Sequence, residues 1–315
     1  MAPIAPLHVV TAVSNPIRWG SRIRHARDTI REWVDDGAHV TVVECATGER
    51  PHELLEIPGT THVALRSSTM AWNKECLLNV GINRLPHEAK YIGCFDADIH
   101  FRKRSWVEET VHALQLYPVI QPWTDAYDLG PKDEHLQAHK SFCGLYRHGK
   151  PVIPTGPKFW KFSGGPYDYS HTGYAWAYKR QFLEDVGGLI EVCAMGSADH
   201  HMAYAMLGQV EKSLPGRVSK SYSDALYLWQ MRALRSANKK LGYVNQTVEH
   251  HFHGKKSNRG YQHRWDMFLE AGFDPLTDLK KNSYGVIEFA GNKPELELQW
   301  ELYLRSRNED DNIAG

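Results

Sequence analysis

Cysteine is scarce and ill-spaced in this chain. Five residues, Cys45, Cys76, Cys94, Cys143 and Cys193, are odd in number and contain no CxxC pair, which argues against a zinc knuckle or a disulfide framework. A reducing compartment, the cytoplasm, is the simplest expectation. Charge of one sign is missing too: 37 basic residues balance 37 acidic ones, so no global field draws the chain toward nucleic acid or an anionic membrane. No stretch approaches ~18 unbroken apolar residues. Met1 to Leu7 has neither the basic nor the apolar region of a secretory signal, so neither secretion nor membrane anchoring is expected. Internal repeats and low-complexity tracts are lacking as well.

What is present is enough for a folded chain. At 315 residues, 42% hydrophobic and 23% charged, the chain can bury a large core as one elaborated domain or two fused ones, which excludes wholesale disorder. Ten Trp and 15 Tyr supply flat amphipathic surfaces for cores and clefts. The 18 His matter more, because neutral imidazole is a metal ligand and an acid/base group near pH 7.

Leu7 to Val13 is a short β-branched run, Ser21 to Val34 has a helical pattern, and His39 to Glu44 forms a second strand, a β-α-β opening. Thr61 to Leu65 continues as a strand, Asn73 to Leu85 as a helix, and Tyr91 to Phe95 as a strand running into Asp96-Ala97-Asp98. Such alternation predicts an α/β fold with a mostly parallel central sheet flanked by helices. Ser105 and Glu108 match a capping box opening a helix through Leu116, and Val119 to Pro122 reads as a strand. From Thr124 to Tyr167 the pattern breaks into a long loop, a candidate lid or acceptor wall. Gly173 to Tyr178 is then a strand, Arg180 to Val186 and Asp199 to Leu207 helices, and Tyr222 to Leu241 a helix ended by Gly242. Tyr243 to His250 reads as one strand, Pro294 to Arg307 as a helix, and the acidic tail Glu309 to Asp311 as frayed and solvated. The expected divisions are a Rossmann-like half at 1–123, an acceptor-binding and catalytic half of the same domain at 124–264, and a C-terminal helical extension at 265–315.

Two carboxylates one residue apart at the end of a buried strand, Asp96 and Asp98, face the crevice where open α/β sheets bind ligands. Such a pair suits Mg²⁺ or Mn²⁺ with open positions for a diphosphate; the competing reading is a solvated turn. Asp199 begins a helix and is either an ordinary cap or a general base for a hydroxyl. Glu249-His250-His251-Phe252-His253-Gly254 follows a strand, so that His251 and His253 should share one face and His250 the other; one of them is a candidate metal ligand. In the basic stretch that follows, Lys255 and Arg259 are candidates for holding a diphosphate or an acceptor phosphate, against the alternative of a solvated helix entry.

Taken in order, Asn15 and Arg18 after the first strand, Asn73-Lys74 with Asn79 and Gly81, Asp96-Ala97-Asp98, Gly173-Tyr-Ala-Trp176 with Gly187-Gly188, Gly196 to Asp199 and the late His segment resemble the GT-A glycosyltransferases, family 2-like members in particular, over Leu7 to Arg264. The resemblance implies a donor nucleoside diphosphate sugar, a UDP-sugar first, held with Mn²⁺ or Mg²⁺. It implies that Asp96 and Asp98 form the DxD motif on ribose and metal, with Asp98 the surer ligand. Asp199 would be the catalytic base of an inverting enzyme, and His251 or His253 a metal ligand, with His253 preferred. Val13, Asn15, Arg18 and Glu44 would line the nucleoside pocket, and Lys74 would approach phosphate. The chain departs from the family pattern at Ala198, where Glu or Asp is frequent. His253-Gly254, Asn258-Arg259, Tyr261, Arg264 and Phe273-Asp274-Pro275 are also similar to phage-encoded members, some of which glycosylate hydroxymethylated bases in DNA. A 5-hydroxymethylpyrimidine acceptor in a host cytoplasm is the implied narrower expectation, and it requires an exposed base. Two other classes compete: a catalytically silent glycan- or nucleic-acid-binding module, and a metal-assisted hydrolase using the same Asp and His residues.

Overall fold

A computed structural model describes residues 5–154 and 170–310. The chain opens with β1 (Leu7–Ser14), α1 (Gly20–Asp35), β2 (His39–Thr47), β3 (Thr60–Ser67), α2 (Lys74–Asn83) and β4 (Tyr91–Phe95). It continues with β5 (Ile99–Phe101), α3 (Trp106–Leu116), β6 (Val119–Gln121), β7 (Asp125–Leu129), β8 (His135–Ser141) and α4 (Phe142–Arg147). Next come β9 (Ser170–His171), β10 (Ala175–Lys179), α5 (Arg180–Val186), α6 (Ala198–Met206), α7 (Lys220–Ala237), β11 (Leu241–Tyr243) and β12 (Thr247–His250). The last elements are α8 (Tyr261–Glu270), α9 (Pro275–Asp278), β13 (Leu279–Lys281), β14 (Ile287–Phe289) and α10 (Pro294–Ser306).

Seven strands form the central sheet in the order β11-β6-β10-β4-β1-β2-β3. Its pairings are parallel except those of β10, which runs antiparallel to both β4 and β6. Neighbouring residues on one strand point to opposite faces, so Val9 and Val42 pack with Ile30, Trp33 and Trp106, whereas Val10 and Val43 pack with Leu77, Leu78 and the α5 to α7 side. The mixed α/β layering expected from the sequence follows from these two buried faces. Gly81 lets α2 settle on β1 and β2, since a Cβ there would lie 2.5 Å from Val10 and 2.6 Å from Val43. Asn79 ties the same helix to Leu189 through its amide, which donates to the carbonyl at 3.0 Å and accepts from the N–H at 2.8 Å.

A second sheet, β5-β12-β7-β8-β9, occupies much of the stretch expected to be a loop; residues 155–167 of that stretch lie outside the described residues. The segment read as one strand from Tyr243 to His250 is divided, with β11 in the central sheet and β12 in the second. Asp96 to Asp98 therefore spans the crossover from β4 in one sheet to β5 in the other.

Three local expectations are corrected. Ser105 is already helical, with φ −70° and ψ 0°, and does not cap the backbone. Its hydroxyl instead donates to Glu109 Oε1 at 2.6 Å, because a cap must stand in extended geometry. Helix α7 stops at Asn238, whose φ of 45° is left-handed, a conformation Asn tolerates; Gly242 sits inside β11. The tail is not frayed through Asp310. Asp310 accepts from the N–H groups of Gly20 and Ser21 at 2.7 and 2.8 Å, capping a helix whose own Trp19 makes no side-chain cap. Glu309 is 1% exposed. Region 265–315 also holds the β13–β14 hairpin among its helices. Among the described residues no helix is long and apolar enough to cross a membrane.

Candidate active site

The crossover turn is clamped from both sides. Asp96 N–H donates to the Tyr174 carbonyl at 2.8 Å, and His251 N–H donates to the Asp98 carbonyl at 2.9 Å. These bonds fix the turn between the approach to β10 and the exit of β12. Strand β12 ends at His250, and the chain then turns toward Gly254, whose φ is 83°. That turn overrides the strand alternation expected for the His segment.

As a result His250 and His253 approach Asp98 together, while His251 does not join them. The two Nε2 atoms are 3.1 Å apart, and Asp98 Oδ2 lies 3.5 Å from that of His250 and 3.2 Å from that of His253. Asp98 Oδ1 is buried without a hydrogen-bond partner. A carboxylate and two imidazoles with ligand atoms within 4.8 Å of one another, one oxygen of them unsatisfied, fit a divalent cation. His251 instead meets His100 Nε2 with its own Nε2 and stacks on His25 at 4.3 Å. Burial and its imidazole neighbours push its pKa down to about 3.

Behind His250 stands Asp128, a residue that sequence reasoning passed over inside the expected loop. Its Oδ1 accepts from His250 Nδ1 at 2.8 Å and from the Tyr174 hydroxyl at 2.9 Å, and its Oδ2 contacts His139 Nε2 at 2.5 Å. Asp128 and His250 are register partners on parallel strands, and the β7–β8 pairing is irregular at Asp128 and Leu129, a distortion common beside active sites. Burial opposes a charged His250, but Asp98 and Asp128 outweigh it and raise its pKa to about 9. Burial likewise opposes ionised Asp98, yet His250, His253 and Arg259 hold its carboxyl well below the ordinary range.

Asp96 stands apart from the three-ligand group and is ion-paired to Lys74 at the start of α2. Burial works against the Lys74 charge, but Asp96, Glu75 and Asp199 more than compensate and raise its pKa. Asp199 sits in the first turn of α6, after Gly196 and Ser197 at φ 87° and 74°. A left-handed conformation is strained for Ser, and such residues concentrate at functional sites. Burial raises the Asp199 carboxyl above its usual range, Lys74 working against the shift and Asp96 adding to it. Glu75, also missed from sequence, is 6% exposed; burial pushes its pKa up to about 7.

Asp96, Asp98, His250, His253, Asp199, Lys74 and Glu75 all line one cleft of ≈ 310 Å³, with Arg22, Arg259, Arg264, Arg307 and Glu309. Lys255 is exposed and does not line it. Val13 lies on the border between this cleft and a smaller hollow that Asn15, Arg18 and Glu44 line. There the Asn15 amide is engaged with the Trp19 backbone, and Arg18 is exposed at φ 67°. Both Glu44 oxygens are occupied, by the N–H groups of Glu53 and Leu54 at 2.5 and 3.0 Å and by His62 at 2.8 Å, so its carboxylate supports the loop after β2.

No protein-family model matches the sequence, and no curated protein matches it. Among solved structures the chain is similar to the catalytic domain of Drosophila β1,4-galactosyltransferase 7, with 12% identity, a TM-score of 0.35 and coverage of 76% of this chain and 65% of that one. It is also similar to residues 1–349 of S. aureus TarS in complex with UDP-GlcNAc, with 10% identity, a TM-score of 0.45 and coverage of 80% and 60%. A third is glucosyl-3-phosphoglycerate synthase from Mycobacterium tuberculosis in complex with Mn²⁺, UDP and glucosyl-3-phosphoglycerate, with 11% identity, a TM-score of 0.41 and coverage of 86% and 78%. The chain thus spans slightly less than two thirds of the first two. The likeness is one of overall fold; what the cleft can do follows from its own residues.

Proposed function

We propose that this chain is a metal-dependent glycosyltransferase of GT-A type that moves a sugar from a nucleoside diphosphate sugar, a UDP-sugar first, to an acceptor hydroxyl with inversion. The observation that carries the reading is the meeting of Asp98, His250 and His253 with Asp199 in one cleft. Asp98 and the two imidazoles would hold the cation, and their mixed oxygen and nitrogen donors favour Mn²⁺ over Mg²⁺, which prefers oxygen alone. When bound, the cation neutralises charge on the donor diphosphate.

The chain's own residues do the rest. Asp199 accepts the acceptor hydroxyl proton as that oxygen attacks the anomeric carbon, a role suited to a carboxylate whose basicity burial has raised. Lys74, ion-paired to Asp96, lines the cleft and can meet a phosphate oxygen. Val13, at the border with the hollow beyond β1, marks where the nucleoside would lie. Hexose and pentose donors both remain candidates, as does a 5-hydroxymethylpyrimidine in phage DNA among hydroxyl acceptors.

A thermal-shift panel of UDP-, GDP-, ADP- and CMP-sugars with and without Mn²⁺ tests the reading. One nucleotide class is expected to stabilise the chain only with metal, and acceptor screening with hydroxymethylated DNA would follow. A silent module would show no metal-linked response to any of them. A hydrolase would release sugar at the same rate with or without an acceptor.

A further inference from the structure

Helix α7 is apolar on two opposite sides. Tyr222, Leu226, Trp229, Ala233 and Ala237 are buried, a spacing of three and four residues that turns one side of the helix onto the core. They share that core with residues of α5 and α6. Asp224, Leu228, Met231 and Arg235 recur at the same kind of spacing, and at about 3.6 residues per turn they form one stripe on the side away from the core. All four are exposed, Leu228 by 44% and Met231 by 58%, and Tyr227 beside them is 40% exposed. The solvent side of a helix is ordinarily polar, so three large apolar side chains within two turns mark a surface that another molecule covers.

The charges at the two ends of the stripe identify the cover. Asp224 stands toward the N-terminus of α7 and Arg235 in its last turn, so the stripe reads acid, apolar, apolar, base, with its midpoint between Trp229 and Gln230. Turned end for end about that midpoint, it places Arg235 where Asp224 stood and Met231 where Leu228 stood. A second copy of α7 laid antiparallel therefore sets Asp224 against Arg235 of the second copy and Leu228 against Met231 of the second copy, each twice. A parallel copy would set acid against acid and base against base. Two-fold self-complementarity is what a closed dimer requires, and like-charge contacts reject the other arrangement. Lys220 does not hold Asp224 back: the side chains of that pair are 86% and 56% exposed, and exposed ion pairs are worth little. Leu228 also lines a groove of ≈ 650 Å³ whose walls include Leu183 and Glu184 of α5, so the face reaches beyond a single helix toward the area that a stable interface buries.

We propose that two copies of this chain form a dimer by pairing α7 antiparallel with α7 through Asp224, Leu228, Met231 and Arg235. None of these four residues lines the cleft, so both copies keep it open. Helix α7 packs on α6, whose first turn carries Asp199, and the contact therefore braces that helix from behind. The pairing is independent of what the cleft transfers.

Sedimentation velocity of the full chain over a concentration series, with thermal melts alongside, tests the pairing. The wild type is expected to pass from the mass of one chain to that of two as concentration rises. Met231→Glu places a charge at the centre of the contact twice over and is expected to weaken association by about 100-fold or more. Asp224→Arg and Arg235→Asp each set like charges together in two places and are each expected to weaken it by about tenfold or more. Mixing these two variants restores both ion pairs between unlike copies, so a heterodimer is expected. The double variant Asp224→Arg/Arg235→Asp exchanges the signs within one chain and is expected to associate within about threefold of wild type. These side chains face solvent, and the melts should find every variant folded; should a reversal not fold, the neutral changes Asp224→Asn and Arg235→Gln read the same contact, each with about a threefold loss. A chain that stays monomeric at every concentration overturns the proposal, whether its stripe then binds anionic vesicles or nothing. A dimer that Met231→Glu leaves intact overturns it too, as do reversals that neither the mixture nor the double variant rescues.

Discussion

His250 Nδ1 donates to Asp128 Oδ1 at 2.8 Å, across a parallel strand pair in which the two residues are register partners. The bond orients the ring so that Nε2 faces Asp98 and His253. A carboxylate behind a ligating imidazole sets its tautomer and raises its basicity. Asp128→Asn is therefore expected to weaken Mn²⁺ binding by about 10- to 100-fold with the fold retained. Calorimetry with Mn²⁺ checks this, and unchanged affinity would remove Asp128 from the site.

Asp98 and Asp199 are expected to fail in different ways. Asp98→Ala removes a metal ligand, so metal-dependent stabilisation by a nucleotide sugar should vanish along with transfer. Asp199→Asn keeps the shape of the side chain and the donor site, so that stabilisation should persist while transfer falls by about 100-fold or more, the scale of general base catalysis. Thermal shift and a transfer assay on both variants separate the roles; normal turnover in both would end the assignment.

The rate should carry an acid limb set by Asp199. Its working form is the carboxylate, and burial raises its pKa above the ordinary 3.8. Transfer is expected to rise with pH through that elevated value and then level off until another group titrates. A kcat/KM profile that stays flat down to pH 4 would contradict the buried base.

Glu75 gives a stability signature of opposite sense to that of a paired acid. Burial raises its pKa to about 7 in the folded chain against the ordinary 4.5 of a glutamate in water, so between those values the native chain binds more protons than the unfolded one. Stability accordingly falls as pH rises through that window, by up to about 3 kcal/mol. Glu75→Gln should flatten the slope and raise the melting temperature at pH 8. A variant whose stability tracks the wild type at every pH would show that Glu75 ionises without cost.

Asp310 contributes through a helix far away in sequence. Its oxygens accept from Gly20 and Ser21 N–H at 2.7 and 2.8 Å, so Asp310→Ala should destabilise the fold by about 1 kcal/mol, as loss of an N-cap does. Urea titration reads the change, and no loss of stability would mean that the tail is held by Glu309 alone.

Much of the framework was legible in the residues. Strand β1, helix α1 and strand β4 leading into the acidic turn follow from apolar spacing, because periods of 2 and 3.6 are imposed by local backbone geometry. Asp98 and Asp199 stood out because carboxylates at a strand end and a helix start are local features. The resemblance of the motif order to the GT-A glycosyltransferases is what put Asp98, a late His and Asp199 together.

Which late His turns inward could not be read that way. Alternation along a strand pairs His251 with His253, yet β12 stops at His250 and the chain turns, so His250 and His253 converge while His251 meets His100. Nor could sequence spacing reveal Asp128 behind His250, or Glu309 seated between Arg22 and Arg307 instead of fraying. The sequence by itself determined the alternating elements, the acidic turn and the absence of long apolar spans, all properties of near neighbours along the chain. Only the tertiary structure decided the ligand set and the role of the tail, because a parallel register and a return of the C-terminal segment to α1 join residues more than a hundred positions apart.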